Sequence, residues 1–303
     1  MKRRVALMAM PFLLGILSGI SLPGDCAARV AWRLPALNAS PTDLYIPGKF
    51  VWFDLVTDDS DAAQRFYGAV FGWRFRPVEG APESYLAIDN GGTAIGGVFV
   101  PGRRGGSPAA ARWIALMSVE NIHRAVRYVG QSGGTVVVPP RTVAGRGTYA
   151  LCRDPEEALF GLITSETGDP ADAPVNTMDF FWMDLLARQP ETEAQFYQGL
   201  AGYEVSTEPL GPGGMRVMLA SAGYARAGIV LLPPSVSEPG WLPYVLVDDV
   251  AAVLRKVAQE GGAVLLAPRP ELLDGNLAVI ADPRGGVLGI VKWEEPPEEG
   301  GAR

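Results

Sequence analysis

Histidine is almost missing from this chain: there is one, His123, in 303 residues. Cysteine is nearly as scarce, with only Cys26 and Cys152. Zinc and iron–sulfur sites need several convergent thiolates or imidazoles, so neither is expected, nor is a disulfide framework. Basic residues are the minority, 26 against 33 acidic, giving a net charge of −7 and a pI near 4.9. That balance argues against a nucleic-acid partner, which needs a positive surface. The hydrophobic content of 48% with 19% charged residues belongs to a folded globular chain, long enough for two domains.

Residues 1–28 form a separate segment. Lys2, Arg3 and Arg4 precede an apolar run from Val5 to Ile20, and Cys26-Ala27-Ala28 places small residues before a cleavage point. This is the pattern of a secretory signal. A membrane anchor is the alternative, but 16 apolar residues are short for a bilayer. Lipidation at Cys26 is disfavoured by Asp25, because such sites need a small residue there. The exported form, periplasmic or extracellular, would start near Arg29 with no further membrane span and a net charge of −9 (23 basic, 32 acidic). Only Cys152 would then remain, in an apolar strand where an inert buried thiol is expected.

The rest of the chain says the same thing twice. Trp52, Asp54, Leu55, Phe66, Tyr67 and Gly72 recur 130 positions later as Trp182, Asp184, Leu185, Phe196, Tyr197 and Gly202. At an offset of 128, Trp113 matches Trp241, Gly133–Arg141 matches Gly261–Arg269, and Asp154-Pro155 matches Asp282-Pro283. Such landmarks at nearly constant spacing identify a tandem duplication.

Each half reads as two βαβββ units. In the first unit Phe50–Val56 alternates, with Phe53 and Leu55 on one face and Trp52 and Asp54 on the other. A helix over Ser60–Phe71 follows, ended by Gly72, and then three strands to Val100. The second unit spans Arg112–Glu166, the third Met178–Leu232 and the fourth Trp241–Trp293. The expected organisation is a signal (1–28), an extended, loosely held leader (29–49), domain one (50–167), a linker (168–177), domain two (178–295) and a disordered tail (296–303). The class is α+β, with curved mixed sheets.

Four βαβββ units, a W-x-D-L signature followed by F-Y-x-x-x-x-G-W/Y, and Asp-Pro before each last strand resemble the vicinal-oxygen-chelate superfamily. Glyoxalase I, extradiol dioxygenases and bleomycin-resistance proteins belong to it. The resemblance covers about residues 50–293. It implies a ligand on the concave face of each sheet, and in most of the enzymes a divalent metal held there by three side chains. Carried onto this chain, those positions are Trp52, Trp113 and Gly161, then Trp182, Trp241 and Gly289. Indole offers a metal no lone pair and glycine no side chain, so no metal or other cofactor is expected.

Trp52, Trp113, Trp182 and Trp241 are instead expected to line two pockets that stack a small aromatic or cationic molecule. The alternative is that these indoles plug the cavities, leaving a structural or protein-interaction module. Asp54 and Asp184, two residues beyond the first-strand tryptophans, should face the same pockets. A carboxylate beside indole would have a raised pKa, so a metal-independent lyase or isomerase using Asp54 or Asp184 as acid/base is a further alternative. Tyr67 and Tyr197 are expected to pack under the sheet and His123 to face solvent. The partner is a small molecule, and the chain is a monomer or homodimer.

Overall fold

The computed structural model describes residues 32–38, 40–81, 84–101, 110–211 and 214–293. The expected signal segment with Cys26, and the expected tail, lie outside the described residues.

The first half runs β1 (Phe50–Val56), α1 (Ser60–Phe71), β2 (Arg74–Pro77), β3 (Tyr85–Asn90), β4 (Thr93–Phe99), β5 (Arg112–Ser118), α2 (Ile122–Gln131), β6 (Thr135–Val143), β7 (Gly147–Arg153) and β8 (Leu159–Ser165). The second half repeats it: β9 (Phe180–Ala187), α3 (Pro190–Ala201), β10 (Glu204–Pro209), β11 (Met215–Ser221), β12 (Tyr224–Leu231), β13 (Gly240–Leu246), α4 (Val250–Gln259), β14 (Ala263–Leu266), β15 (Leu277–Ala281) and β16 (Val287–Val291). Helix limits follow from local chemistry. Asp59, Asn121 and Asp249 accept from the backbone N–H of Ala62, Arg124 and Ala252, while Pro190 opens α3. Gly72 and Gly202 end α1 and α3 in the left-handed region.

Each half contributes one eight-stranded curved sheet, ordered β2-β3-β4-β1-β5-β8-β7-β6 and β10-β11-β12-β9-β13-β16-β15-β14. The units of a half therefore pair through β1 with β5, and β9 with β13, both antiparallel. On the helix-bearing faces the partners change. One core joins unit two to unit three, from Met117, Val129 and Phe160 to Leu185, Phe196 and Leu219. The other joins unit one to unit four, from Leu55, Phe66 and Val70 to Val253, Ile280 and Ile290. Phe53 and Phe180 stack where the two meet, ring centroids 3.9 Å apart.

The leader is not loosely held. The Arg33 N–H donates to the Gly80 carbonyl and the Leu34 N–H to the Ala144 carbonyl, both at 3.0 Å. Two adjacent residues thus join the two ends of the first sheet across its concave face. Further on, Asp169 Oδ2 accepts the Ile46 N–H and the Ser118 hydroxyl, both at 2.6 Å. Backbone groups satisfied by sheet ends and linker hold the segment, a device that apolar periodicity does not reveal.

Candidate functional site

Strand register decides which side chains share the concave face. Trp52 lies opposite Leu116 and Asp54 opposite Ile114, whereas Trp113 lies opposite Leu55. In the second half Trp182 lies opposite Tyr244 and Trp241 opposite Leu185. Trp113 and Trp241 therefore belong to the helix-bearing faces, not to the pockets where they were expected. Equal spacing from the repeat had matched the indoles to one another correctly, but an odd-numbered slip in register reverses the face. Leu116 and Tyr244 take the positions assigned to them.

Both displaced tryptophans have structural partners. Trp113 Nε1 donates to Tyr67 Oη (3.0 Å), which donates to Asp282 Oδ2 (2.9 Å). Trp241 Nε1 donates to Tyr197 Oη (2.9 Å), which donates to Asp154 Oδ2 (2.9 Å). Each chain of bonds starts in one half and ends in the other. The Asp-Pro and Phe-Tyr signatures are thus clamps between halves, and Tyr67 and Tyr197 are buried as expected. His123 is exposed. Cys152 is buried, and burial pushes its thiol up to about 12, so it is inert as a nucleophile.

On the concave face of the first half, Asp54 Oδ1 accepts from Trp52 Nε1 (2.9 Å) and Tyr85 Oη (2.8 Å). Gly97 sits against both oxygens, and a Cβ there would collide with them. Burial raises the Asp54 pKa, opposed by the Arg146 charge and by the two hydrogen bonds. Arg146 lies with its guanidinium carbon 3.7 Å from the Trp52 ring centroid. Val51, Leu116, Ile163, Tyr149 and the leader's Leu37 complete the wall.

The second half builds the same motif from other parts. Asp184 accepts from Trp182 Nε1 (2.9 Å) and Arg216 Nη2 (3.1 Å), and Arg216 also reaches Glu208 (3.4 Å). Tyr85 and Arg216 are equivalent positions, since Tyr85 pairs with Phe99 and Arg216 with Val230 in matching registers. Here the concave face is packed by the chain's own loop after β14. Leu272 and Leu273 lie against Trp182, Tyr244, Leu277 and Val291. Arg146, Tyr85, Arg216 and Tyr244 were missed as site residues. The one available signal was Gly145-Arg146-Gly147, an arginine between two turn residues at a strand start.

The comparisons with known proteins agree with this architecture. Residues 49–80 match the family model described as bleomycin resistance protein-like N-terminal. The chain is 30% identical over 253 residues to CFP32 of Mycobacterium bovis, a glyoxylase by provisional designation, spanning 82% of this chain and 96% of the relative. It belongs to the vicinal-oxygen-chelate superfamily. It is also 31% identical over 134 residues to the anthracycline biosynthesis protein DnrV of Streptomyces peucetius, covering 39% of this chain and 48% of that one. The fold is shared with the Mn(II)-bound glyoxalase of Novosphingobium aromaticivorans (TM-score 0.56, 16% identity, 82% and 83% coverage). It is shared too with homoprotocatechuate 2,3-dioxygenase of B. fuscum (TM-score 0.57, 12% identity, 88% and 77%).

The superfamily's metal does not fit the residues present. On the first concave face Trp52, Leu116 and Gly161 stand together, and the Gly161 backbone is pressed against the Leu116 side chain. In the second half Trp182, Tyr244 and Gly289 stand together, with the Tyr244 ring against Gly289. Among the described residues no three His, Cys, Asp or Glu side chains converge on a common point. No metal step is derived for this chain.

Proposed function

We propose that this protein is an exported binder of a small molecule, held against the concave face of the first half without help from a metal. The carrying observation is the cluster of buried Trp52, Tyr85 and Arg146 with partly buried Asp54 on that face, under a strap tied mainly by backbone hydrogen bonds. Polar and charged side chains gathered on an apolar wall are the usual means of orienting a ligand. The second half, filled by Leu272 and Leu273, serves as the structural counterpart. Its filling supports the plugged reading for that half alone.

The ligand's chemistry differs from what four indoles suggested. The face of Trp52 that would take a cation already holds Arg146, so cation–π recognition there is satisfied within the protein. An apolar or aromatic body would suit the wall of Leu116, Ile163 and Tyr149 once the strap's Leu37, packed on it, is displaced. The names of the relatives, a glyoxylase and an anthracycline biosynthesis protein, support small-molecule work of this kind.

A second reading is favoured by the placement of Asp54 on the concave face beside Trp52 and Tyr85, where burial raises its carboxyl. It makes Asp54 the acid/base of a metal-independent lyase or isomerase. A panel of small aromatic compounds, followed by tryptophan fluorescence and melting temperature, tests both readings. Binding should disappear in Trp52→Ala and survive in Trp182→Ala; the reverse would refute the assignment to the first half. Turnover lost with affinity kept in Asp54→Asn would establish the enzyme. Elemental analysis showing a tightly held stoichiometric metal would overturn the metal-free reading. Export rests on the segment 1–28, and a mature N-terminus near Arg29 is its check.

A further inference from the structure

Arg146 stands immediately before β7, between Gly145 and Gly147, and is 1% exposed. Its Nε donates to the Pro35 carbonyl at 2.7 Å. Its Nη1 and Nη2 are buried and have no hydrogen-bond partner among the described residues. Leaving a charged donor unmade in the interior costs more than the about 1–3 kcal/mol of a neutral one. A guanidinium cannot escape by losing its proton. The nearby Asp54 feels the Arg146 charge but does not close the fork: its Oδ1 serves Trp52 and Tyr85, and neither of its oxygens bonds to Nη1 or Nη2. The second half shows that closure was open to this fold, because Arg216 pairs with both Asp184 and Glu208.

We propose that the two Nη groups of Arg146 are the recognition element for an anion, and that the ligand of the first half is a small carboxylic acid with an apolar body. This rests on the reading that the first half is the binding half. A carboxylate presents two oxygens at the spacing of the guanidinium fork, so one ligand would satisfy donors from both nitrogens. Its body would meet Leu116, Ile163 and Tyr149 once Leu37 is displaced. The strap then has a double part. Pro35 fixes the guanidinium over Trp52 through Nε, and Leu37, two residues on, covers the wall. A ligand held there would have to pass beneath the strap.

Titration of the full chain with benzoate, benzamide and benzylamine, three probes of one shape and different charge, tests this. Melting temperature and tryptophan fluorescence would be followed together. Benzoate should bind about 10- to 100-fold more tightly than benzamide, with benzylamine weakest. Arg146→Gln should erase that preference and Arg146→Lys reduce it, since an ammonium keeps the charge without the fork. If Arg146→Gln does not fold, the comparison of benzoate with benzamide on the unaltered chain decides alone. Equal or tighter binding of benzamide or benzylamine, with the signal lost in Trp52→Phe, overturns the anion assignment and leaves the first-half reading standing. Benzoate binding that survives Trp52→Phe and Arg146→Gln but is lost in Trp182→Phe overturns the first-half reading itself. No response to any probe at millimolar concentration overturns the proposal.

Discussion

The two halves start from one design and close it differently. In the second, the concavity is filled by the loop after β14, and among the described residues Arg216 Nε is the one fully buried side-chain polar atom beside Asp184 without a partner. In the first, β6 and β7 join by a tight turn, and a segment from outside the repeat lies across the opening. That half keeps a buried guanidinium whose two terminal nitrogens are unmatched. Duplication gave two equivalent scaffolds, and the difference lies in what covers each sheet. The cover of the first half comes from the N-terminal leader, tied to both sheet ends, and that of the second from a β-connection.

The largest expected effect separates scaffold from site. Trp113→Ala should cost about 3–5 kcal/mol in chemical denaturation, because it removes a large buried side chain and a bond to the Tyr67 hydroxyl, and Trp241→Ala, at a partly buried position, somewhat less. Neither should change ligand affinity selectively. A folded Trp113→Ala variant of unaltered stability would break the assignment of these residues to the inter-half cores.

Next comes the contrast between the two carboxylates. Asp184→Asn should destabilise by about 2 kcal/mol, since it weakens a direct, largely buried pair with Arg216. Asp54→Asn should cost less than about 1 kcal/mol, because the amide oxygen can still accept from Trp52 Nε1 and Tyr85 Oη and no direct ion pair is lost. Equal losses in urea titration would erase the distinction between a closed and an open cluster.

A smaller effect concerns α3. Glu193 is 1% exposed beside Asp154 and Glu156, and burial first, then those two charges, push its carboxyl up to about 8. Its counterpart in α1 is Ala63. The folded chain therefore holds a proton that the unfolded chain releases above its ordinary value of 4.5. Stability from this group is fully present below that value and is lost as pH rises through about 8. Glu193→Gln should flatten the profile, gaining on the order of 4 kcal/mol relative to the unaltered chain as pH rises from about 4 to about 9. Ala63→Gln, at the equivalent site, should show no such pH dependence. A parallel shift at all pH values would refute this titration of Glu193.

Much of the architecture was legible before any coordinates. The repeat, the four βαβββ units and α1 over Ser60–Phe71 follow from landmark spacing, apolar periodicity and capping residues. The concave placement of Trp52 and Asp54 followed from strand alternation. The site was less legible, for identifiable reasons. Trp113 and Trp241 were misplaced because the face of a second strand depends on its pairing with the first, and sequence spacing does not carry register. Arg146 acts from a turn, Tyr85 from a strand two places away, and Leu37 from outside the repeat. Only the folded sheet brings them together.

The two clamps differ in how long the growing chain must wait for them. Tyr197 finds Asp154 43 residues back, already made when it emerges. Tyr67 bonds to Asp282, 215 residues further on. At about 5–20 residues per second, that separation amounts to about 10–40 s of synthesis. Units two and three can close their shared core during that time, while the helix of unit one keeps Phe66 and Val70 without their final partners. The outer core is thus completed last, by the final strands of the chain. A chain cut short before Asp282 would keep the inner clamp and present the apolar face of α1 to whatever lies nearby.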